Sequence, residues 1–167
     1  MKRLLLLLLL FAFTKGYSQA DCKKWVFEKY DIVTDVKMRQ TKDIILATNN
    51  KKESLGISCV KNRYNTMIFV DAGNICIDDG DAVHFLFRDG TRASIYNDDS
   101  FNCNGSFLRR IKSFEREEEE FLFLSSKEIN IMRLETKTKS IEVKLTEKQS
   151  LMFMNSVKCL FDDWKLE

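Results

Sequence analysis

The stretch that decides the fold is AVHFLFRDGTRASIYN, residues 82–97. Apolar and polar side chains alternate on both sides of a central Asp-Gly pair, which is the pattern of two half-buried strands joined by a tight turn. A two-residue turn would pair Phe85 with Ser94, whereas a three-residue loop with Gly90 in the left-handed conformation pairs Phe85 with Ala93. The second register gathers the apolar side chains on one face. Because register follows the buried face, it is the register that we predict.

The predicted register places His84, the only histidine of the chain, on the less apolar face of the hairpin beside Ser94. A catalytic interpretation would use His84 as a general base with Asp81 or a neighbouring aspartate, in a secreted hydrolase. The chain lacks a G-x-S-x-G nucleophile elbow, and a single histidine excludes a zinc site with several histidine ligands. We therefore predict a structural or surface histidine, with the hydrolase as the alternative.

Three aspartates, Asp78, Asp79 and Asp81, surround Gly80 just before the hairpin. Three nearby carboxylates are a possible start of a calcium site, since calcium takes roughly six to eight oxygen ligands. Their spacing departs from the D-x-D-x-D-G calcium loop, and no glutamate follows at the expected offset. Asp and Gly are also the residues that tight turns favour. A turn is the prediction, and a metal site in a calcium-stabilised binding module is the alternative.

Short apolar segments without long helical patterns between them make up most of the remaining chain. They cover residues 25–34, 43–48, 55–60, 66–72, 129–134 and 141–145. This spacing favours a meandering antiparallel sheet over β-α-β units. We predict an α+β fold built on a mainly antiparallel, curved sheet of about seven to nine strands.

The pattern changes to a helical period near the end of the chain. Thr146 and Gln149 stand at the spacing of a capping box. Four large apolar residues then recur at helical spacing: Phe153, Val157, Leu160 and Trp164. This stripe predicts one C-terminal helix over about 147–163, packed on an apolar face of the sheet.

The chain opens with MKRLLLLLLLFAFTKGYSQA, residues 1–20. A short basic start, an apolar run of about ten residues and a small-x-small ending are features of a signal peptide. No apolar run of the chain reaches the roughly 18 residues that a transmembrane helix needs. We predict export to the periplasm or the extracellular space, with residues 21–167 forming a single β-rich domain.

The charge balance gives no indication of nucleic-acid binding once this leader is set aside. The leader contains Lys2, Arg3 and Lys15 and no acidic residue. Without the leader, 24 of the 27 Lys and Arg residues remain, against 25 Asp and Glu residues. A near-neutral domain lacks the basic surface with which proteins bind nucleic acids. No glycine-rich phosphate loop occurs either, and we predict no cofactor.

Five cysteines behind an export signal indicate disulfide bonds. Cys76 and Cys103 bracket the hairpin, and we hypothesise that they form a bridge. A second suggestion joins Cys59 to Cys159 and leaves Cys22 as the odd thiol. Glutamates at residues 115–120 indicate a solvated turn or helix end, and the alternative is an acidic patch that binds a partner.

The order of Cys76, VHFLFRDGTR, FNC at 101–103, INIMRLET and the cysteine-bearing segment SVKCL resembles small exported bacterial proteins of unknown function. The resemblance covers most of the predicted domain and implies export and a cysteine-bracketed hairpin followed by a C-terminal helix. It implies no activity. The leading functional prediction is a non-enzymatic exported protein that contacts a partner, such as a protein or a carbohydrate, through its sheet or loops.

Overall fold

The computed structural model describes residues 22–33, 35–42, 45–112 and 122–162. Within these residues the chain forms ten β-strands, two α-helices and one short 3-10 turn. The strands are β1 (Val26–Asp31), β2 (Val36–Thr41), β3 (Ile45–Thr48), β4 (Ser54–Asn62), β5 (Asn65–Asp71), β6 (Ala82–Phe87), β7 (Arg92–Tyr96), β8 (Ser106–Lys112), β9 (Ile129–Glu135) and β10 (Ser140–Lys144). The helices are α1 (Phe123–Ser126) and α2 (Glu147–Asp162), and the 3-10 turn spans Cys22–Lys24.

The strands form two sheets in which every pairing is antiparallel. The six-stranded sheet has the order β1-β2-β4-β5-β8, with β3 also paired to β4, and the four-stranded sheet has the order β10-β9-β6-β7. The predicted α+β class, with antiparallel strands and one C-terminal helix, is therefore confirmed. The architecture differs in that ten strands make two sheets, where we predicted about seven to nine in one curved sheet. Each sheet has one apolar face, and stacking the two faces removes both from water.

One continuous core lies between the two sheets and α2. Its largest fully buried side chains are Phe85, Phe107, Phe153, Leu55, Ile57, Ile68, Ile77, Leu124, Ile129, Met132 and Leu134. Both sheets and both helices contribute to this list, so the described residues share one interior. Burial of each such side chain contributes about 1.5–3 kcal/mol relative to leaving it exposed.

The central hairpin has the predicted register. Val83 pairs with Ile95 and Phe85 with Ala93, and the Phe87 N–H donates to the Thr91 carbonyl at 2.9 Å. Gly90 has a φ of 84°, which closes the three-residue loop in the left-handed conformation. Val83, Phe85 and Phe87 of β6 consequently point into the core.

The C-terminal helix begins at the predicted capping box. The Thr146 backbone N–H donates to Gln149 Oε1 at 2.9 Å, and the Gln149 N–H donates to Thr146 Oγ1 at 3.3 Å. Two of the N–H groups that a helix start leaves unpaired are satisfied in this way. Phe153, Val157 and Leu160 are buried, as their helical spacing predicted.

Two disulfide bonds tie the described residues together. Cys76 is bonded to Cys103, the pair predicted from their positions on either side of the hairpin. Beside this disulfide, Ile77 and Asn102 exchange two backbone hydrogen bonds of 2.7 and 2.9 Å. The second suggestion was wrong, because Cys159 is bonded to Cys22. The odd thiol therefore belongs to Cys59 and not to Cys22.

The free thiol, Cys59, lies in the interior of the fold. Leu55, Ile57 and Cys59 alternate along β4 and are completely buried, so the thiol points into the core. Burial in apolar surroundings raises the pKa of the Cys59 thiol. The thiol is consequently protonated and inaccessible in the folded protein.

No helix among the described residues is both long and apolar enough to cross a membrane. The predicted signal peptide, residues 1–20, lies outside the described residues, as does Trp164 of the predicted helical stripe.

Candidate functional site

The acidic segment before the hairpin forms a tight turn. The Asp81 N–H donates to the Asp78 carbonyl at 3.3 Å, and Gly80 has a φ of 80°. The Asp81 carboxylate accepts a hydrogen bond from the Asp78 N–H at 2.8 Å, and the Asp78 carboxylate accepts one from the Asp79 N–H at 2.9 Å. Two of the three carboxylates thus bind the backbone of their own turn, as Asp does in turns.

A lysine from the turn between β9 and β10, at the same end of the sheet, neutralises part of this turn. Lys137 Nζ lies 2.5 Å from Asp78 Oδ2. This contact, together with the hydrogen bond from the Asp79 N–H, holds the pKa of Asp78 below its ordinary value. Within the described ranges no group of three or more His, Cys, Asp or Glu side chains is placed to hold a metal ion. The geometry of Asp78, Asp79 and Asp81 therefore supports the turn, not the calcium alternative.

His84 lies on the opposite face of β6 from the core and has two polar neighbours. Its Nδ1 is 2.8 Å from Ser94 Oγ on β7, and its Nε2 is 3.4 Å from Glu135 Oε2 on β9. The predicted proximity to Ser94 is present. The carboxylate beside the imidazole is that of Glu135, whereas the Asp81 carboxylate is turned back to its own loop.

Glu135 was not a candidate in the sequence because its proximity depends on a long-range pairing. β9 pairs with β6 across a separation of more than forty residues, and Ala82 stands opposite Glu135. The only local signal is the alternation in β9, where Met132 and Leu134 face the core while Arg133 and Glu135 are exposed. That alternation identifies the polar face but not which strand lies beside it.

His84 belongs to a larger polar surface that we call the outer face. The outer face consists of the side chains of the four-stranded sheet that point away from the core: Ala82, His84 and Leu86 of β6, Arg92, Ser94 and Tyr96 of β7, Ile131, Arg133 and Glu135 of β9, and Ser140, Glu142 and Lys144 of β10. Cross-strand pairing arranges these side chains in three rows. The middle row reads Glu142, Arg133, His84 and Ser94, and Arg133 Nη1 lies 3.9 Å from Glu142 Oε2.

The centre of the outer face is a shallow, open hollow of about 370 Å³. Leu86 and Ile131 supply an apolar floor, while His84, Arg92 and Arg133 supply polar groups at its sides. Arg92 has no ion-pair partner among the described residues. Half-buried apolar groups beside donors that point into water can hold a ligand or a partner surface by both contacts and hydrogen bonds.

A wider groove of about 710 Å³ lies between the 3-10 turn and the start of α2. Trp25, Leu151 and Met152 form its apolar part, and Lys24 and Lys148 stand at its rim. The Lys24 ammonium lies 4.9 Å from the centre of the Trp25 ring, a cation–π contact. Nothing in the described residues indicates what covers this groove, so the outer face is the better-defined site.

Comparison of this chain with known protein families, with curated proteins and with solved structures returns no match. The glutamates at residues 115–120, a candidate acidic patch, lie in the part of the chain outside the described residues.

Proposed function

We propose that this chain is an exported, non-enzymatic protein that binds a partner through the outer face of its four-stranded sheet. The observation that carries this proposal is the placement of His84. The imidazole lies in an open hollow on a sheet surface, between Ser94 and Glu135, and the acidic turn is occupied by its own backbone hydrogen bonds.

The chemistry of the outer face fits a polar partner with a small apolar contact. Cationic Arg92, Arg133 and Lys144 alternate with acidic Glu135 and Glu142, around the apolar pair Leu86 and Ile131. Such a surface offers directional hydrogen bonds and charges of both signs, which contribute more to the specificity of binding than to its affinity. An oligosaccharide or a polar protein surface matches these groups.

Two disulfide bonds support export. Structural disulfides persist in oxidising compartments and are rare in the bacterial and eukaryotic cytosol. Cys22–Cys159 fastens the first described residues to α2, and Cys76–Cys103 closes the base of the hairpin. Both bonds are consistent with the predicted leader at residues 1–20.

Nuclear magnetic resonance of the ¹⁵N-labelled protein tests the binding surface. We would titrate it with soluble oligosaccharides and with short acidic and basic peptides, and map the shifts. We expect shifts centred on His84, Ile131 and Arg133, and we expect Arg133→Ser to weaken them. Arg63→Ser, which changes an exposed arginine on the β4–β5 turn, is the matched control. Shifts centred on another surface, or equal loss in both variants, would refute the proposed surface.

A hydrolase remains the second candidate because a serine, the histidine and a carboxylate are in contact. Ser94 Oγ and Glu135 Oε2 flank the two ring nitrogens of His84, which resembles the order of a Ser-His-acid triad. Labelling with a fluorophosphonate, which reacts with activated serines, separates the two functions. Covalent labelling of Ser94 that disappears in His84→Gln would establish the hydrolase, and an unlabelled Ser94 would remove it.

A further inference from the structure

The free edge of β8 is closed by side chains from neighbouring loops. Backbone groups at Ser106, Leu108 and Arg110 point away from β5, since alternate residues of an antiparallel strand face each side. Asn102 binds both the N–H and the carbonyl of Ser106, at 3.1 and 2.8 Å. Asn97 and Asp98 bind the next outward-facing backbone groups. The Leu108 N–H donates to Asn97 Oδ1 at 2.9 Å, and the Leu108 carbonyl accepts from the Asp98 N–H at 3.0 Å. The Arg110 N–H donates to Asp98 Oδ2 at 2.8 Å.

Other strand edges are protected in related ways. The Glu142 carbonyl at the edge of β10 accepts a hydrogen bond from Asn49 Nδ2 at 3.2 Å. The Leu46 carbonyl at the edge of β3 accepts one from Gln149 Nε2 at 2.7 Å. β1, at the end of the six-stranded sheet, carries the exposed charges of Glu28 and Lys29. Amide caps and edge charges are the means by which proteins prevent strand-to-strand association.

The edge of β7 has no amide cap among the described residues, and Arg92 is the one charged side chain that the strand carries. β7 is the last strand of its sheet. The hydrogen-bonded residue pairs of β6 and β7 start at Phe87–Thr91 and recur at every second residue, so they include Ala93 and Ile95. The backbone N–H and carbonyl groups of Ala93 and Ile95 therefore point toward β6. Arg92 and Ser94 therefore direct theirs outward, as does Tyr96. No described side chain binds these outward groups, and the side chains of all three residues are exposed.

We infer that β7 is the dimerisation edge of this protein, and that a second copy of the chain adds its own β7 in antiparallel register centred on Ser94. In that register Arg92 stands opposite Tyr96 of the second copy, which allows a cation–π contact on the outer face at each end. Ala93 stands opposite Ile95 on the core side. The sequence of β7 is thus complementary to itself, which is what a two-fold interface requires.

The pairing joins two four-stranded sheets into one continuous eight-stranded sheet and brings two outer faces side by side. Six backbone hydrogen bonds, about two for each of the three opposed pairs, would cross the interface. This inference does not depend on what the outer face binds, because it rests on the outward-facing backbone groups of β7. Its test measures molecular mass and not ligand binding.

Sedimentation equilibrium of the purified, oxidised protein tests the dimer. We expect a monomer–dimer equilibrium, and we expect Ser94→Pro to raise its dissociation constant about ten- to hundredfold, because proline removes the N–H that both copies place at the centre. Proline is tolerated at an outward-facing edge position. Ser140→Pro, on the capped edge of β10, is the matched control. A monomer at all concentrations, or a dimer that Ser94→Pro leaves unchanged, overturns the inference.

Cysteine cross-linking tests the register and does not rely on proline being tolerated. Ser94→Cys places two thiols opposite each other at Cα atoms about 5.5 Å apart, within disulfide range. Arg92→Cys places its two thiols more than about 13 Å apart, since each faces residue 96 of the other copy. We expect a covalent dimer on mild oxidation for Ser94→Cys only. Equal cross-linking of both variants, or of neither, contradicts the register.

Discussion

Asn97 holds the end of β7 against Leu108 of β8. Its Oδ1 accepts the Leu108 N–H at 2.9 Å, and its Nδ2 donates to the carbonyls of Asp78 and Asp99 at 2.9 and 3.0 Å. The side chain is buried, at 2 % exposure. One amide therefore connects the acidic turn, the hairpin and the second sheet.

Replacing this amide should be costly. We expect Asn97→Ala to lower the free energy of unfolding by about 2–4 kcal/mol, because it leaves a buried N–H and two carbonyls without their partner. Urea denaturation measures the change. Asn74→Ala, at an exposed loop position, should stay within about 0.5 kcal/mol of the parent. Equal losses in the two variants would show that Asn97 has no special role.

The loop that carries the Cys76–Cys103 disulfide depends on Gly105. Gly105 has a φ of 73°, and a Cβ atom there would lie 1.8 Å from the Gly73 carbonyl oxygen. We expect Gly105→Ala to cost about 3 kcal/mol or more. Gly90→Ala meets open space at a φ of 84°, so it should cost only about 1 kcal/mol of conformational strain. Thermal unfolding compares the two variants, and a smaller loss for Gly105→Ala would contradict the close approach.

Helix α2 buries one hydroxyl without a partner. Ser150 is 1 % exposed, and its Oγ has no hydrogen-bond partner in the described part of the chain. We expect Ser150→Ala to raise the free energy of unfolding by about 1 kcal/mol, because it removes an unsatisfied polar atom. Ser156, whose Oγ donates to the Met152 carbonyl at 2.8 Å, is the matched control. A stabilisation of the same size in Ser156→Ala would assign the effect to alanine itself.

Acid should destabilise the protein through carboxyls that are hydrogen-bonded when folded. The hydroxyl and N–H of Thr91, with Lys127, lower the pKa of Asp89 from its ordinary value of 3.8 to about 2. Arg39 and Lys37 lower the pKa of Glu28. A lowered folded-state pKa contributes stability that is present above the unfolded value and is lost as the pH falls toward the folded value.

The melting temperature should therefore be steady above about pH 5 and fall steeply between about pH 4 and pH 2. Calorimetry across this range measures the fall. Asp89→Asn should flatten the part of the profile below about pH 4, since it removes the group that titrates there. Superimposable profiles of the variant and the parent would contradict this origin.

The hairpin and α2 could be predicted from the sequence because their signals are local. In the hairpin, only one register places Phe85 and its apolar neighbours on a single face, and burial selects it. In α2, the capping residues Thr146 and Gln149 lie three positions apart. Neither element needs information from distant parts of the chain.

Strands β2 and β8 were not predicted because their side chains are largely polar. β2 reads VKMRQT, and its Arg39 contacts Glu28 and the Cys159 carbonyl instead of joining an apolar face. β8 reads SFLRRIK, and consecutive arginines interrupt its alternation. Their pairing with β4 and β5 is a tertiary property, and it makes the larger sheet.

Only part of the candidate site could be predicted from the sequence, because only some of its contacts are set by local patterns. Ser94 beside His84 follows from the hairpin register, whereas Glu135 follows from the register of β9 on β6, which no local pattern specifies. The pairing of Cys22 with Cys159 likewise joins the two ends of the described chain. The alternation of Leu55, Ile57 and Cys59 was a local signal that Cys59 is buried in the core.

The most direct test of the surface site is the nuclear Overhauser effect from the ring protons of His84. Their assignment is unambiguous because the chain has one histidine. The structure requires contacts from the ring to side-chain protons of Ser94 and of Glu135 on the outer face. Contacts from the ring to Asp78 or Asp81, with none to Ser94, would place the imidazole at the acidic turn and contradict the proposed binding surface.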